Sequence, residues 1–197
     1  MTTQIHLVRH GHHALLERVL CGRMPGVELD QKGCRQMAAV AGSMRQIGAW
    51  TLQSSPQRRA LQSAGILAAR CRLALEIAPA MDEIEMGAWT GANFSDLASD
   101  RDWQRWNNRR GSARPPGGES MRELQVRVVN HLEQLRSVGG AIIIVSHAEP
   151  IRAALMHYLG IPLDRFHSVA VNPASVSTIL LDSRMVRVSR VNSEVTA

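Results

Sequence analysis

The residues of this chain that can do chemistry are histidines, arginines and carboxylates at the ends of apolar runs. Arg9-His10-Gly11 closes the run at 5–8, and Ser146-His147 closes the run at 141–146. Ser54-Ser55-Pro56 ends a third run and leads into Arg58-Arg59, while Asp82, Glu83 and Glu85 stand together in "MDEIEMG". Imidazole serves as nucleophile or general acid/base near neutral pH. Arginine matches phosphate geometry and keeps its charge. A carboxylic acid supplies the proton that a departing oxygen needs. Together these types point to phosphoryl transfer onto an imidazole. His12 and His13 follow closely, so "HGHH" also admits a metal site through His10, His12 and His13, which would need a further ligand in suitable geometry.

Positioning these groups requires strands and helices in alternation. Apolar residues run on from one another at 5–8 and 141–146, as in strands buried on both faces. Residues 50–55 read as a further strand, and 176–182 with 185–191 as a terminal hairpin around Asp182-Ser183-Arg184. Helices are expected over 31–48 and over 56–72, the second with Ser55 as N-cap and Pro56 in its first position. A third covers 120–138, with Ser120 and Glu123 as a capping box and an apolar stripe through Leu124, Val128, Leu132 and Leu135. A fourth runs from Pro150 to Gly160. The pattern predicts an α/β fold, three layers α/β/α around a mostly parallel central sheet, in one domain over 1–197. Residues 80–120, rich in tryptophan and turn residues, read as an excursion over the sheet.

Ligands of open α/β sheets bind beyond the carboxyl ends of the strands. Three predicted strands end there with the same sign of charge. Arginine in the first turn of a helix costs about 0.3–1 kcal/mol against the macrodipole. Two adjacent ones, Arg58 and Arg59, are explained by solvent exposure or by an anion held jointly with the helix end. Convergence with Arg9, His10 and His147 favours the anion.

The net charge is +6, and Lys32 is the only lysine, so arginine carries the positive balance toward an anionic partner. No basic run or nucleic-acid motif accompanies it, and four Trp, two Phe and one Tyr leave little for base stacking. No apolar run approaches the roughly 18 residues of a membrane helix, and "MTTQIHLVRHG" lacks the order of a signal peptide. Three cysteines without CxxC spacing suit a reduced cytoplasm. A small phosphorylated molecule is the expected partner.

Six segments in order carry a resemblance to a known family. They are "LVRHG" (7–11), "GRMPGVELDQKGCRQ" (22–36), "SSPQRRALQSA" (54–64), "MDEIEMGAWTG" (81–91), "PPGGES" (115–120) and "IVSHAEPIRA" (144–153). In these the chain resembles the histidine phosphatase superfamily, also called phosphoglycerate mutase-like. The resemblance implies that His10 is transiently phosphorylated, that Arg9, Arg59 and His147 hold the phosphoryl oxygens, and that Glu83 protonates the leaving group and then helps activate water. It implies no metal and no cofactor, and a cytoplasmic phosphatase of the histidine acid phosphatase type. Arg59 rather than Arg58 directly precedes the alanine of the motif, and Glu83 rather than Glu85 sits four positions before its glycine. Arg58 and Glu85 then read as flanking charges.

The chain departs from the family where an acidic residue, a hydroxyl residue and an asparagine usually follow the first glycine; here stand His12, His13 and Leu16. His13, Arg23 and Ala148 are expected among the substrate contacts. Arg23 reads equally as a surface ion pair, and Glu149 either repels a dianion or reads a polar substrate group. Trp89, Trp103 and Trp106 are expected to pack a lid; Arg109, Arg110 and Arg114 read as a solvated basic loop or as the rim of an entrance. His131, His157 and His167 read as structural. At 197 residues, with a short "RRGSARPPGGES" connection, the chain resembles the phosphatase branch; a phosphoglycerate mutase and a catalytically impaired phospholigand- or protein-binding member are the alternatives. Dimers occur in the family, and no residue pattern here decides the oligomeric state.

Overall fold

The computed structural model describes residues 1–195. Six strands form one sheet: β1 (Thr3–Arg9), β2 (Thr51–Ser54), β3 (Leu75–Ile77), β4 (Gly140–Ser146), β5 (Val176–Leu181) and β6 (Val186–Ser193). Their order is β3-β2-β4-β1-β5-β6. The pairs β3/β2, β2/β4 and β4/β1 are parallel, and β5 runs antiparallel to both its neighbours. Six helices accompany them: α1 (Gln31–Met44), α2 (Arg58–Cys71), α3 (Phe94–Leu97), α4 (Arg101–Asn108), α5 (Met121–Gln134) and α6 (Ala148–Leu159).

The period-2 geometry of β4 divides the core. Ile142 and Ile144 pack with Ile5, Leu7 and the apolar stripes of α5 and α6. Ile143 and Val145 point the other way, into Val8, Leu52 and the Met- and Ala-rich faces of α1 and α2. A strand buried on both faces must be apolar throughout, which is why "AIIIVS" shows no alternation. The result is the three-layer α/β/α arrangement with a mixed, mostly parallel sheet.

This topology fixes where a ligand can sit. From β1 the chain passes through α1 to β2 on one side; from β4 it passes through α6 to β5 on the other. Between β1 and β4 the connections diverge, and such a divergence opens a crevice at the carboxyl ends of the strands. The register pairs Arg9 with Ser146. The next residue on each strand is therefore a histidine, and His10 and His147 emerge side by side.

Two expected helix starts shift. α2 begins at Arg58 with Gln57 as N-cap and no side-chain cap; Ser55 Oγ accepts the Gln57 N–H at 3.3 Å and is also bonded to His147 and Asp82. α6 begins at Ala148 with His147 as N-cap. Pro150 falls within its first turn, where an absent N–H leaves no intrahelical bond unmade. The capping box of α5 forms between Ser120 and Glu123 as expected, and Gly160 closes α6 in the left-handed conformation. β3, which the pattern did not reveal, is a short edge strand with Glu76 and Ile77 exposed.

The segment between β3 and α5 adds no strand to the sheet. Trp89 meets Trp103 edge to face at 5.4 Å, Phe94 lies 6.0 Å from Trp103, and all three join the core on the α5/α6 side. Among the described residues no helix is long and apolar enough to cross a membrane.

Candidate active site

A cavity of about 230 Å³ opens at the carboxyl ends of β1 and β4, and Arg9, His10, His13, Arg59, Glu83 and Ala148 all line it. The rings of His10 and His147 lie 5.1 Å apart, with His147 wholly buried behind the cavity wall.

The tautomer of His10 follows from its neighbours. Nδ1 lies 2.8 Å from the Gly11 carbonyl, which can only accept, so Nδ1 carries the proton. Nε2 then holds the lone pair, and it accepts from Arg59 Nε at 3.3 Å. Burial, together with Arg59 and Arg9, pulls the proton affinity of His10 well below the usual histidine range. The site therefore holds a neutral imidazole whose free nitrogen is aligned with a guanidinium.

Gly11 is required by close packing and not by its backbone angles. Its φ is not positive; a Cβ there would lie 2.6 Å from the Gly33 carbonyl, so the loop packs directly on the start of α1. Its N–H donates to Ser63 Oγ, which donates in turn to the Arg59 carbonyl and ties the loop to α2.

Arg59 is buried in the first turn of α2, and its Nη2 donates to the Gly22 carbonyl at 2.8 Å while Nη1 has no protein partner. Arg9 donates from Nη1 to the Val171 carbonyl and leaves Nε free. Burial lowers the proton affinity of both, Arg9 to about 10, and both remain cationic at neutral pH. Free guanidinium N–H groups around a neutral imidazole suit phosphoryl oxygens. Arg58, by contrast, is exposed and paired with Glu28 at 2.6 Å.

Glu83 holds the opposite wall. Burial raises its pKa to about 7, and the carboxylate of Glu149 adds to the effect against Arg59 and Arg9. Its position is fixed from behind: Arg23 Nε donates to the Glu83 carbonyl at 2.7 Å, and Arg127 Nη2 reaches the same oxygen at 3.1 Å. Glu119 bridges the two arginines. Arg23 thus supports the backbone beneath Glu83 and does not line the cavity. This corrects its reading as a substrate contact, because its guanidinium is already held by Glu119, Asp82 and Glu85. Glu85 lies outside the cavity in this cluster.

His147 has a supporting chain that the sequence did not disclose. Its Nε2 lies 2.7 Å from Ser55 Oγ, which lies 3.2 Å from Asp82 Oδ1. Asp82 also accepts from the Glu83 N–H and from Gln57 Nε2. Nδ1 of His147 is buried without a partner. The signal for Ser55 lay in its place one residue beyond β2, beside the end of β4, where its N–H bonds the Val145 carbonyl.

The remaining histidines separate. His13 lines the cavity 5.4 Å from His10, and burial with Arg59 and Arg9 lowers its pKa to about 4. His12 turns out of the cavity to Asp30 Oδ2 at 2.5 Å, and Asp30 caps α1. It does not join His10 and His13 around a common point. His131 bonds Gln53 on β2. Arg110, read as part of a basic loop, is buried with its guanidinium 4.5 Å from the Trp106 ring and 3.7 Å from the Phe166 ring, facing Glu149. Arg114 stays outside, paired with Glu123.

Fold and site together define an α/β protein with a pair of buried histidines at the carboxyl ends of a mostly parallel sheet. The family whose sequence model matches residues 5–194 is described as the histidine phosphatase superfamily (branch 1). The Mycobacterium tuberculosis protein Rv0525 is 31% identical over 167 residues, which cover 80% of this chain and 79% of that one. Phosphoserine phosphatase 1 of Hydrogenobacter thermophilus is 28% identical over 179 residues, 87% and 85% of the two chains. In fold, the native structure of mycobacterial glucosyl-3-phosphoglycerate phosphatase Rv2419c superposes with a TM-score of 0.86 over 98% of this chain and 100% of that one, at 20% identity. The chain belongs to the histidine phosphatase superfamily.

Proposed function

We propose that this protein is a metal-independent phosphomonoesterase, of the histidine acid phosphatase type, acting on a small phosphorylated metabolite. The observation that carries the reading is the His10 Nε2 lone pair, held against Arg59 in a cavity that Arg9 and Glu83 share. Nε2 attacks phosphorus, and the bond to the ester oxygen breaks. The carboxylic acid of Glu83 gives its proton to that oxygen, and the alcohol departs. The phosphorylated ring keeps its Nδ1 proton on the Gly11 carbonyl, which makes it a good leaving group. Water then attacks phosphorus, the Glu83 carboxylate takes its proton, and the N–P bond breaks to release inorganic phosphate and restore neutral His10. Arg9 and Arg59 face the charge that develops on the phosphoryl oxygens, and His147 stands behind them.

The test is hydrolysis of p-nitrophenyl phosphate in the presence of EDTA. Turnover that vanishes in His10→Ala, with acid-labile-phosphate trapping on wild-type His10, supports the reading. Activity that EDTA abolishes, or that survives in His10→Ala, sinks it. Interconversion of 3-phosphoglycerate and 2-phosphoglycerate dependent on 2,3-bisphosphoglycerate would assign transfer between substrates instead. Binding of phosphate without any turnover would assign a catalytically impaired binder.

A further inference from the structure

The cavity wall also carries a charge pattern beyond the phosphoryl cradle. Of the arginines near the site, Arg9 and Arg59 are the two that line the cavity, and both are arranged around His10. Arg23, Arg110 and Arg152 lie behind the wall with their guanidiniums engaged by carboxylates. Besides Glu83, assigned above to proton transfer, the other carboxyl groups lining the cavity are Glu17 and Glu149.

Glu149 is the more informative of the two. It stands in the first turn of α6, two residues after His147, so it adjoins the phosphoryl cradle. Oε1 accepts from Arg152 Nη1 at 2.7 Å, while Oε2 has no hydrogen-bond partner and lies 3.6 Å from Arg110 Nη1. Burial opposes its ionisation, but the Arg152 and Arg110 guanidiniums overcome that and hold its pKa below the ordinary range. Arg110 itself is locked between the Trp106 and Phe166 rings. A fixed, ionised carboxylate beside a dianion site opposes binding of the phosphoryl group unless it meets a donor or a cation on the substrate. Leu16, Leu20, Met86 and Phe94 supply apolar parts of the wall, and the cavity volume of about 230 Å³ suits a compact alcohol.

We infer that the leaving-group side of the cavity takes a small alcohol without further negative charge, a neutral polyol or an amino alcohol, and that Glu149 is the specificity-determining residue that reads its hydroxyl or ammonium group. This rests on the phosphomonoesterase reading. An ionised carboxylate accepts hydrogen bonds and does not donate them, so a substrate carboxylate or second phosphate here meets an acceptor whose cations, Arg110 and Arg152, lie behind it.

Three esters of similar size test it: O-phosphoethanolamine, glycerol 3-phosphate and 3-phosphoglycerate, the last two differing by a carbinol against a carboxylate. For the wild type, kcat/KM is expected to favour each of the first two over 3-phosphoglycerate by about tenfold or more, since each unmet charge is worth at least that. Glu149→Gln should compress the ratio, chiefly through KM, and Glu17→Gln should compress it less. If Glu149→Gln does not fold, the wild-type ratio and Glu17→Gln decide. Equal or better use of 3-phosphoglycerate by the wild type overturns the inference. So does a ratio unmoved in every variant that folds, and so does His10-dependent hydrolysis of p-nitrophenyl phosphate with none of the three esters used. Absence of His10-dependent hydrolysis of any ester instead overturns the phosphomonoesterase reading itself.

Discussion

Nε of Arg59 donates to Nε2 of His10 at 3.3 Å, so the side chain that would neutralise a phosphoryl group also orients the atom that would attack it. The bond exists because α2 begins at Arg58, directly beyond the end of β2, and sends Arg59 inward while Arg58 points to solvent. Lysine cannot reproduce the planar fork that reaches Gly22 and His10 together. Arg59→Lys is expected to lower kcat by roughly a hundred- to a thousandfold, the range for removing one preorganised donor. Arg58→Lys should leave kcat within about twofold, as befits an exposed ion pair. Steady-state kinetics on p-nitrophenyl phosphate compares them, and similar losses in both variants would count against the assignment.

On the proposed phosphomonoesterase mechanism, Glu83 must be protonated to release the leaving group. Its pKa is raised to about 7, so kcat/KM is expected to fall as pH rises through that value. Glu149 contributes to the rise after burial. Removing its charge in Glu149→Gln should therefore move the alkaline limb to lower pH. A pH profile of kcat/KM for both proteins shows the displacement; an unmoved or upward-moved limb contradicts the coupling.

How much of this was legible beforehand depends on where each residue's partners lie. The strand "AIIIVS" and the capping box at Ser120 and Glu123 could be read because burial and local capping leave marks within a few residues. The convergence of His10 and His147 could be expected, but their adjacency follows from the pairing of β1 with β4, across more than 130 residues. A serine before a proline and a helix reads as a cap, and Ser55 Oγ does accept the Gln57 N–H; its bond to His147, 92 residues away, leaves no mark nearby in the sequence. Arg110 is neither solvated nor at an entrance rim, the two readings its basic loop allows, because Phe166, which covers it, comes from beyond α6. The motif glycine four positions after Glu83 is Gly87, whose hypothetical Cβ would fall 2.1 Å from the Pro116 carbonyl; the acid segment and "PPGG" close on each other there, a contact the sequence does not show.

Ser55 links His147 to Asp82 and holds the ring of the second histidine. Ser55→Ala leaves the buried Nε2 without a partner, and small displacements of a positioned group cost up to about a hundredfold in rate. We expect kcat to fall about tenfold with KM little changed, and Asp82→Asn to lower it by a similar factor. Ser55→Thr, which keeps the hydroxyl, should recover part of the loss. Equal effects of alanine and threonine would assign Ser55 a packing role only.

Four buried histidines predict acid lability. His6 and His13 are lowered to about 4, and His10 and His147 lie well below 6.5, burial being the first cause in each. With folded-state pKa values below the unfolded value of about 6.5, the unfolded chain takes up protons first as pH falls. Folding stability is then full above 6.5 and declines from there toward 4. Denaturant midpoints between pH 7 and 4 should fall progressively, and His6→Gln, remote from the cavity and bonded to Thr178, should reduce the slope. A flat midpoint across this range would contradict the assignment.

Glu83 acts on stability in the opposite sense. Its folded pKa of about 7 exceeds the ordinary 4.5, so the folded protein holds a proton that the unfolded chain has released. Its contribution to stability falls as pH rises from 4.5 to 7 and stays reduced above. Glu83→Gln keeps the shape and removes the charge. It is expected to raise folding stability at pH 8 by on the order of 2 kcal/mol, a shift of this size discounted for partial exposure, and by little at pH 4.5. On the proposed mechanism the same variant should lose most of its turnover of p-nitrophenyl phosphate, because an amide has no acidic proton to give the leaving oxygen. A gain in stability at pH 8 with a loss of turnover identifies a carboxyl group held in an unfavourable place for its chemistry; a loss of both would show that Glu83 contributes to the fold through packing instead.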